Sequence, residues 1–287
     1  MVPVTLPMLP IDLSPESELA TRLDLAWEIG HLAAQFLLSD RPSDLAVLTK
    51  STSTDLVSAM DQQSERLIVD RISAAFPDDS LLGEEGANRI GTSGYKWVID
   101  PLDGTVNYLF GIPLWGVSIG IEHGNSVVAG VVVIPAQAES FVAARGHGSW
   151  KIDHNPQAID PISRNQIRNT SDIASALVST GFAYSAERRK AQARVVQGIV
   201  GDIADIRRSG AAVVDLCWLA CGRTDAYFEY GLNPWDLAAG SVIVREAGGR
   251  VGGLTTDDPT DMMLASCPGI YSRMQEILIQ AGAPDIA

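Results

Sequence analysis

Residues 97–107 read Trp97-Val98-Ile99-Asp100-Pro101-Leu102-Asp103-Gly104-Thr105-Val106-Asn107, an apolar strand running into a Pro/Gly turn that carries two acids and a threonine. Pro101 fixes its own φ, Gly104 lets a ligand approach the backbone closely, and Asp100 and Asp103, three residues apart, can face one point. Two carboxylates so placed repel unless a cation sits between them. Hard oxygen donors without a histidine favour Mg²⁺, or Mn²⁺, over Zn²⁺ or copper, and Mg²⁺ usually takes substrate phosphate into its shell. Taken alone the turn has a second reading, because Asp-Pro and Asp-Gly pairs also occur in surface turns whose acids only cap backbone.

Two other segments end in acids. Leu81-Leu82-Gly83-Glu84-Glu85-Gly86 is a short apolar run closing on paired carboxylates just before that strand. Asn233-Pro234-Trp235-Asp236 opens a helix that starts at Pro234 and runs through Leu237 to Ala247. Asp236 there is either a ligand or an acid that compensates the helix dipole.

Taken together these motifs resemble the inositol monophosphatase family, within the larger group of Mg²⁺-dependent, lithium-sensitive sugar-phosphate phosphatases. The resemblance runs from Lys50, Asp55 and Asp61 through Gly83-Glu84-Glu85 and Asp100-Pro101-Leu102-Asp103-Gly104-Thr105. It continues through Arg208-Ser209-Gly210-Ala211-Ala212 and Asp225-Ala226-Tyr227-Phe228-Glu229 to Trp235-Asp236 and Glu246-Ala247-Gly248-Gly249. In order and approximate spacing it covers almost the whole chain beyond residue 14. Leu102 stands where the family often has Ile, and Ser58 where it usually has Thr.

Composition agrees with an enzyme. The chain has 287 residues, 46% of them hydrophobic, which is ample for a core. Residues 1–13 are Pro-rich and aperiodic, without the basic start and apolar run of a signal peptide, and are expected to form a flexible tail. Residues 14–287 are expected to form one catalytic domain, an α+β half to about residue 155 and an α/β half after it. Nothing approaches a membrane span. The net charge of −14 argues against nucleic acid as a partner. Cys217, Cys221 and Cys267 suit a reducing cytoplasm without a disulfide framework, the first two as an i, i+4 pair packed in an apolar helix. The four histidines show no metal-ligand spacing.

Alternating helices and strands without internal repeats point to a mixed α/β fold. Ser14 and Pro15 are expected to cap and open a first helix whose buried face runs from Leu19 to about Leu38. A second helix is expected from near Asp61 to Phe76, with Leu67, Ile68, Ile72 and Ala75 inward. Antiparallel strands follow around Val117–Ile121, Val127–Ile134 and Ser140–Ala144. The second half is expected to hold strands at Ala176–Ser179, Ala226–Tyr230 and Leu264–Ser266, with helices near 187–201, 210–221, 234–247 and 269–281. The layer order comes from the resemblance: an αβαβα sandwich of the inositol monophosphatase and fructose-1,6-bisphosphatase type.

The resemblance also implies a mechanism. Glu84, Asp100 and the Leu102 carbonyl would hold a first Mg²⁺; Asp100, Asp103 and Asp236 a second; Glu84 with water a third, looser one. Thr105, hydrogen-bonded to Asp61, would orient the attacking water. The N–H groups of Gly104 and Thr105 would receive the phosphate. Glu229, the backbone of Ala212, and Asp103 would meet the polyol hydroxyls. Glu85 would belong to the supporting shell, and Lys50 and Asp55 would position the segment before Asp61. The expected activity is hydrolysis of myo-inositol 1-phosphate, with histidinol phosphatase and fructose-1,6-bisphosphatase as alternatives and a regulatory binding protein as a reading of another class. A homodimer is the family's usual arrangement.

Overall fold

The computed structural model describes residues 6–14, 16–39, 47–49, 56–260 and 262–283, with backbone only at 47–49 and 56–58. Lys50, Asp55 and Pro15 lie outside the described residues. The first half comprises α1 (Glu18–Ser39), a hairpin of β1 (Val47–Thr49) and β2 (Leu56–Ser58), α2 (Ala59–Ala75), β3 (Ser80–Gly83), β4 (Asn88–Arg89), β5 (Tyr95–Asp103) and α3 (Thr105–Phe110). The strands β6 (Gly116–His123), β7 (Ser126–Ile134), β8 (Glu139–Ala144), β9 (Gly148–Asp153) and β10 (Ile162–Arg164) follow. The second half comprises β11 (Leu177–Thr180), α4 (Ala186–Ile199), β12 (Asp205–Arg207), α5 (Ala212–Ala220), β13 (Ala226–Tyr230), α6 (Pro234–Glu246), β14 (Arg250–Gly253), β15 (Met262–Ser266) and α7 (Tyr271–Gln280).

Two mixed sheets carry these elements. The larger runs β10-β9-β8-β7-β6-β5-β3-β4, antiparallel except where β3 pairs with β5. The smaller runs β12-β11-β13-β15-β14, with β11 parallel to both its neighbours. Period-two alternation decides which residue serves which layer. Val131, Val133, Val142 and Ala144 face a core under α1 and α2. Their neighbours Val132, Ile134, Phe141 and Ala143 face a central core shared with α5, α6 and, from the smaller sheet, Tyr227, Met263 and Ala265. Ala226, Phe228, Met262 and Leu264 point the other way, onto α4 and α7. The result is the expected αβαβα sandwich.

Three local expectations need correction. Helix α1 begins one turn later than Ser14, because Ser17 precedes Glu18 and its Oγ accepts the Ala20 N–H at 3.1 Å, the N-cap contact. Ala75, the last residue of α2, is exposed rather than inward. Leu6, Leu9, Ile11 and Leu13 are partly buried against the α1/α2 core, so residues 6–13 are not a loose tail. They carry no regular secondary structure and pack through these apolar side chains.

Candidate active site

The quoted strand does not stop at Asp100. Strand β5 runs to Asp103, and its register against β6 shifts: Asp100 pairs with Ser118 but Asp103 with Gly116, three steps against two. That extra residue is a β-bulge, which also tolerates Pro101, a residue with no N–H to give a ladder. The bulge matters for the chemistry. In a regular strand residues i and i+3 point to opposite faces, and one inserted residue turns both carboxylates to the same side. Gly104 then takes φ +86°, where a Cβ would lie 3.0 Å from both the Ala211 Cβ and the Leu114 carbonyl oxygen. Helix α3 starts at Thr105. Asn107 fastens it to a distant loop by donating to the carbonyls of Leu114 and Ser209 at 2.6 and 2.8 Å.

Each remaining acid arrives on its own element. Glu84 follows β3 on a tight turn, and beneath that turn the buried Glu65 of α2 accepts the N–H groups of Glu85 and Ala87, both at 2.9 Å. Gly83 leaves room for it, since a Cβ there would come within 2.2 Å of the Glu65 carboxylate. Asp236 is the third residue of α6, in a capping box with Asn233, whose N–H it accepts at 2.7 Å. The helix lies unusually close to the larger sheet: a Cβ on Gly120 would sit 2.6 Å from the Ala238 Cβ, and one on Gly130 2.7 Å from the Ala239 Cα. Those two glycines let α6 carry Asp236 down to β5.

Opposite these acids stands Glu229, near the end of β13. Tyr227 donates to its Oε2 at 2.6 Å, and Gly181 provides the space, because a Cβ there would overlap the carboxylate at 1.7 Å. Ala212 opens α5 immediately after the Ser209-Gly210-Ala211 junction. The whole set, Glu84, Asp100, Leu102, Asp103, Gly104, Thr105, Ala212, Glu229 and Asp236, lines one cleft of about 340 Å³.

The electrostatics of this cleft are those of a site short of positive charge. Burial pushes the Asp100 carboxyl well up, and Glu84, Asp103 and Asp236 raise it further. Asp103 is raised by burial and by Asp236. Burial lifts Asp236 to about 7, with Glu229 adding to the rise. Carboxylates whose neighbouring charges oppose the ionisation of Asp100 and Asp103 fit a hard cation. Among the described residues no group of three His, Cys, Asp or Glu side chains forms a metal cage by itself. Asp103 and Asp236 each spend one oxygen on a backbone N–H, so the shell would draw also on the Leu102 carbonyl and on water or phosphate oxygens. That mixed, incomplete donor set suits a hard divalent cation.

Two predicted positions differ from expectation. The Thr105 hydroxyl donates to the Leu102 carbonyl oxygen at 3.1 Å, so its single proton is not given to Asp61. Asp61 is 3% exposed in the first turn of α2 and is not a wall of the cleft. Glu85 does not line it either and serves the turn through its backbone. Sequence reasoning missed Glu65, Gly181 and the cleft residue Arg188, and quoted Arg208, which also lines the cleft, within its motif without giving it a role. Glu65 had a signal, an acid on the same helical face as Ile68 and Ile72, which a buried partner has to explain. Arg208 favours the charged form of Glu229 against the burial that raises its carboxyl.

Comparison with known proteins agrees with this geometry. The inositol monophosphatase of Mycobacterium tuberculosis named Inositol-1-monophosphatase SuhB is 38% identical over 254 residues, 83% of this chain and 85% of its own. A protein of Pasteurella multocida named Nus factor SuhB is 41% identical over 214 residues, 74% of this chain and 76% of its own. The crystal structure of the extragenic suppressor protein SuhB from Bartonella henselae superposes with a TM-score of 0.82 at 31% identity, covering 90% of this chain and 98% of that one. Residues 17–281 match the sequence profile of the inositol monophosphatase family, a family of metal-dependent phosphatases, and the chain belongs to it.

Proposed function

We propose that the protein hydrolyses phosphate monoesters of small polyols, with myo-inositol 1-phosphate as its substrate. The observation that carries this reading is the division of one cleft into two chemistries. Glu84, Asp100, Asp103 and Asp236 gather at one end, and Glu229 faces them from another sheet. Glu84, Asp100, the Leu102 carbonyl, Asp103 and Asp236 would hold two to three Mg²⁺ ions, for which Mn²⁺ could substitute. Bound there, Mg²⁺ supplies neutralisation of the phosphate and lowers the pKa of water.

The chain's own groups do the rest. The N–H groups of Gly104 and Thr105, at the open side of the turn, receive phosphate oxygens. Thr105, held by Leu102, positions the attacking water through its hydroxyl oxygen. Glu229, braced by Tyr227, accepts a ring hydroxyl, and the Ala212 N–H donates to one. No side-chain nucleophile is needed. A homodimer and a cytoplasmic location belong to the same reading, supported by the family's habit and by three cysteines that are all free. No described helix is long and apolar enough to cross a membrane.

The name Nus factor carried by the Pasteurella relative supports a second reading, action through a macromolecular partner. The complete carboxylate set supports retained hydrolysis. A substrate panel of inositol 1-phosphate, histidinol phosphate, fructose 1,6-bisphosphate and adenosine 3′,5′-bisphosphate, assayed for released phosphate, separates these readings. The highest kcat/KM is expected on inositol 1-phosphate. Turnover confined to another ester would replace the substrate, and no turnover on any ester would favour the regulatory role.

A further inference from the structure

Polyol recognition, as read above, uses the Glu229 carboxylate and the backbone N–H of Ala212, and the second of these has a support that reaches into the core. Helix α5 opens with Ala211 as its N-cap. The Ala211 N–H donates to Ser209 Oγ at 3.4 Å and the Val213 N–H to Asp103 Oδ2 at 2.7 Å, which leaves the Ala212 N–H between them for a ligand. Its direction is not free. A peptide unit is planar and trans, so the Ala212 N–H points opposite to the Ala211 carbonyl. That carbonyl accepts the backbone N–H of Asp215 at 3.2 Å, the first hydrogen bond of the helix, and the Ala212 N–H is thereby turned outward to the cleft.

The Asp215 side chain grips the same unit through Ser209. Both residues are buried, and the Ser209 hydroxyl donates to Asp215 Oδ2 while lying 3.2 Å from the Ala211 carbonyl oxygen. The Ser209 carbonyl accepts from Asn107 of α3 at 2.8 Å, so the junction is also fixed to the helix that begins at Thr105. Gly210 makes the turn at φ +91°, where a Cβ would stand 2.5 Å from the Arg208 guanidinium and 3.0 Å from the Asn107 amide. From this geometry we propose that Asp215 is a positioning residue for polyol recognition: through Ser209 it holds the peptide that joins Ala211 to Ala212, so that the Ala212 N–H meets a ring hydroxyl.

The link does not depend on the proton of Asp215. Burial pushes that carboxyl up to about 7, with the Ser209 hydrogen bond opposing the rise and Glu229 adding to it. Ionised, it accepts the Ser209 proton, and Ser209 Oγ keeps a lone pair for the Ala211 N–H. Protonated, it donates to Ser209, whose own proton then goes to the Ala211 carbonyl. The side chain therefore has to supply a polar atom at the place of Oδ2 rather than a charge. Asparagine supplies one and alanine does not. The acids at the metal end arrive on other elements, β5 and α6 among them, so a fault in this link falls on the ring and spares the phosphate.

Steady-state kinetics on inositol 1-phosphate and on glycerol 2-phosphate, which has no ring, test this inference, which rests on the polyol-phosphatase reading. Asp215→Ala and Ser209→Ala are each expected to raise KM for inositol 1-phosphate about tenfold, the range of one hydrogen bond, with little change in kcat. The double variant is expected to lose no more than either single one, because both remove the same link. Asp215→Asn is expected to restore KM, and glycerol 2-phosphate to be affected much less throughout. Circular dichroism reports folding, and if Asp215→Ala does not fold, Ser209→Ala, which deletes a single oxygen, decides together with Asp215→Asn. The proposal is overturned if the alanine variants keep the wild-type KM, if both esters lose equally, if the two losses add, or if Asp215→Asn is as impaired as Asp215→Ala. Failure of the substrate reading shows separately, in the wild type, as a higher kcat/KM on another ester; the comparison is then made on that ester, and no turnover on any ester overturns both.

Discussion

Asp103 Oδ2 accepts the backbone N–H of Val213 at 2.7 Å, joining the end of β5 to the first turn of α5 across 110 residues of chain. One carboxylate oxygen is thus committed to architecture and the other left for the cleft. Asp103→Asn keeps an oxygen for Val213 while removing the charge. The variant should fold normally and lose orders of magnitude in kcat, since charge placed for the transition state supplies much of the rate. Asp236→Asn should behave alike despite its distance in sequence. Single-turnover kinetics with circular dichroism check both; near-normal turnover by either would remove that residue from the metal-binding set.

Chelation should abolish phosphate release and added Mg²⁺ restore it, because the clustered acids otherwise oppose the ionisation of Asp100 and Asp103 and repel an incoming phosphate. Lithium should inhibit by competing at the most weakly held position. Phosphate release in chelated buffer at the full rate would contradict the metal-dependent mechanism. Indifference to high lithium would contradict only the closer family resemblance.

Glu229→Gln retains an oxygen for the Tyr227 hydroxyl and withdraws the charge from the polyol. A hydrogen bond to a charged group contributes roughly 1.5–3 kcal/mol, so kcat/KM for inositol 1-phosphate should fall about tenfold to a hundredfold. Glycerol 2-phosphate, which has no ring, should lose much less. Equal losses on the two esters would place Glu229 in general architecture instead.

Acid stability should depend on Asp79. Burial raises its carboxyl, but hydrogen bonds from Arg22, Ser93 and Trp97 outweigh that, and the net direction is down. A depressed carboxylate contributes stability above its unfolded pKa of about 3.9 and loses it as pH falls through the folded value. The wild type should therefore lose stability below about pH 4 more steeply than Asp79→Asn. At neutral pH that substitution leaves the Arg22 charge buried without its counter-ion, at a cost of about 3–5 kcal/mol. Urea melts across pH check both statements.

Gly120→Ala tests how closely α6 has to approach. Its Cβ would meet the Ala238 Cβ at 2.6 Å, and Ala238 lies two residues from Asp236. Overpacking of this kind costs about 1–3 kcal/mol. If it displaces Asp236 by about an ångström, turnover should drop on the order of a hundredfold. A lowered melting temperature with unchanged kcat would show that α6 tilts without moving its first turn.

Much of this was legible in one dimension. Helix α6 announces itself with Asn233, Pro234 and Asp236, because capping is local chemistry. Strands β6 to β8 show in the alternation of Val117, Ile119 and Ile121 and in the apolar run from Val127, because burial imposes a period. The edge strands β4, β10 and β12 are two or three residues long and mostly exposed or half-exposed, so they leave no such pattern. The bulge at Pro101 was hidden too, since it exists only as a mismatch of β5 with β6.

What the sequence alone determined is the chemistry on offer: oxygen donors at Glu84, Asp100, Asp103 and Asp236, the turn that Gly104 permits, and the periodicities that make helices and strands. What only the tertiary structure decided is which distant groups share a space. Glu229 faces Asp103 because two sheets stack on α5 and α6. Asp236 reaches β5 because Gly120 and Gly130 let a helix close in. His31 and His154, 123 residues apart with no motif between them, meet because α1 packs on β6 and β7 of the larger sheet. Residue type and spacing encode local interactions, whereas convergence depends on strand register and layer distance, which arise only when the whole core packs.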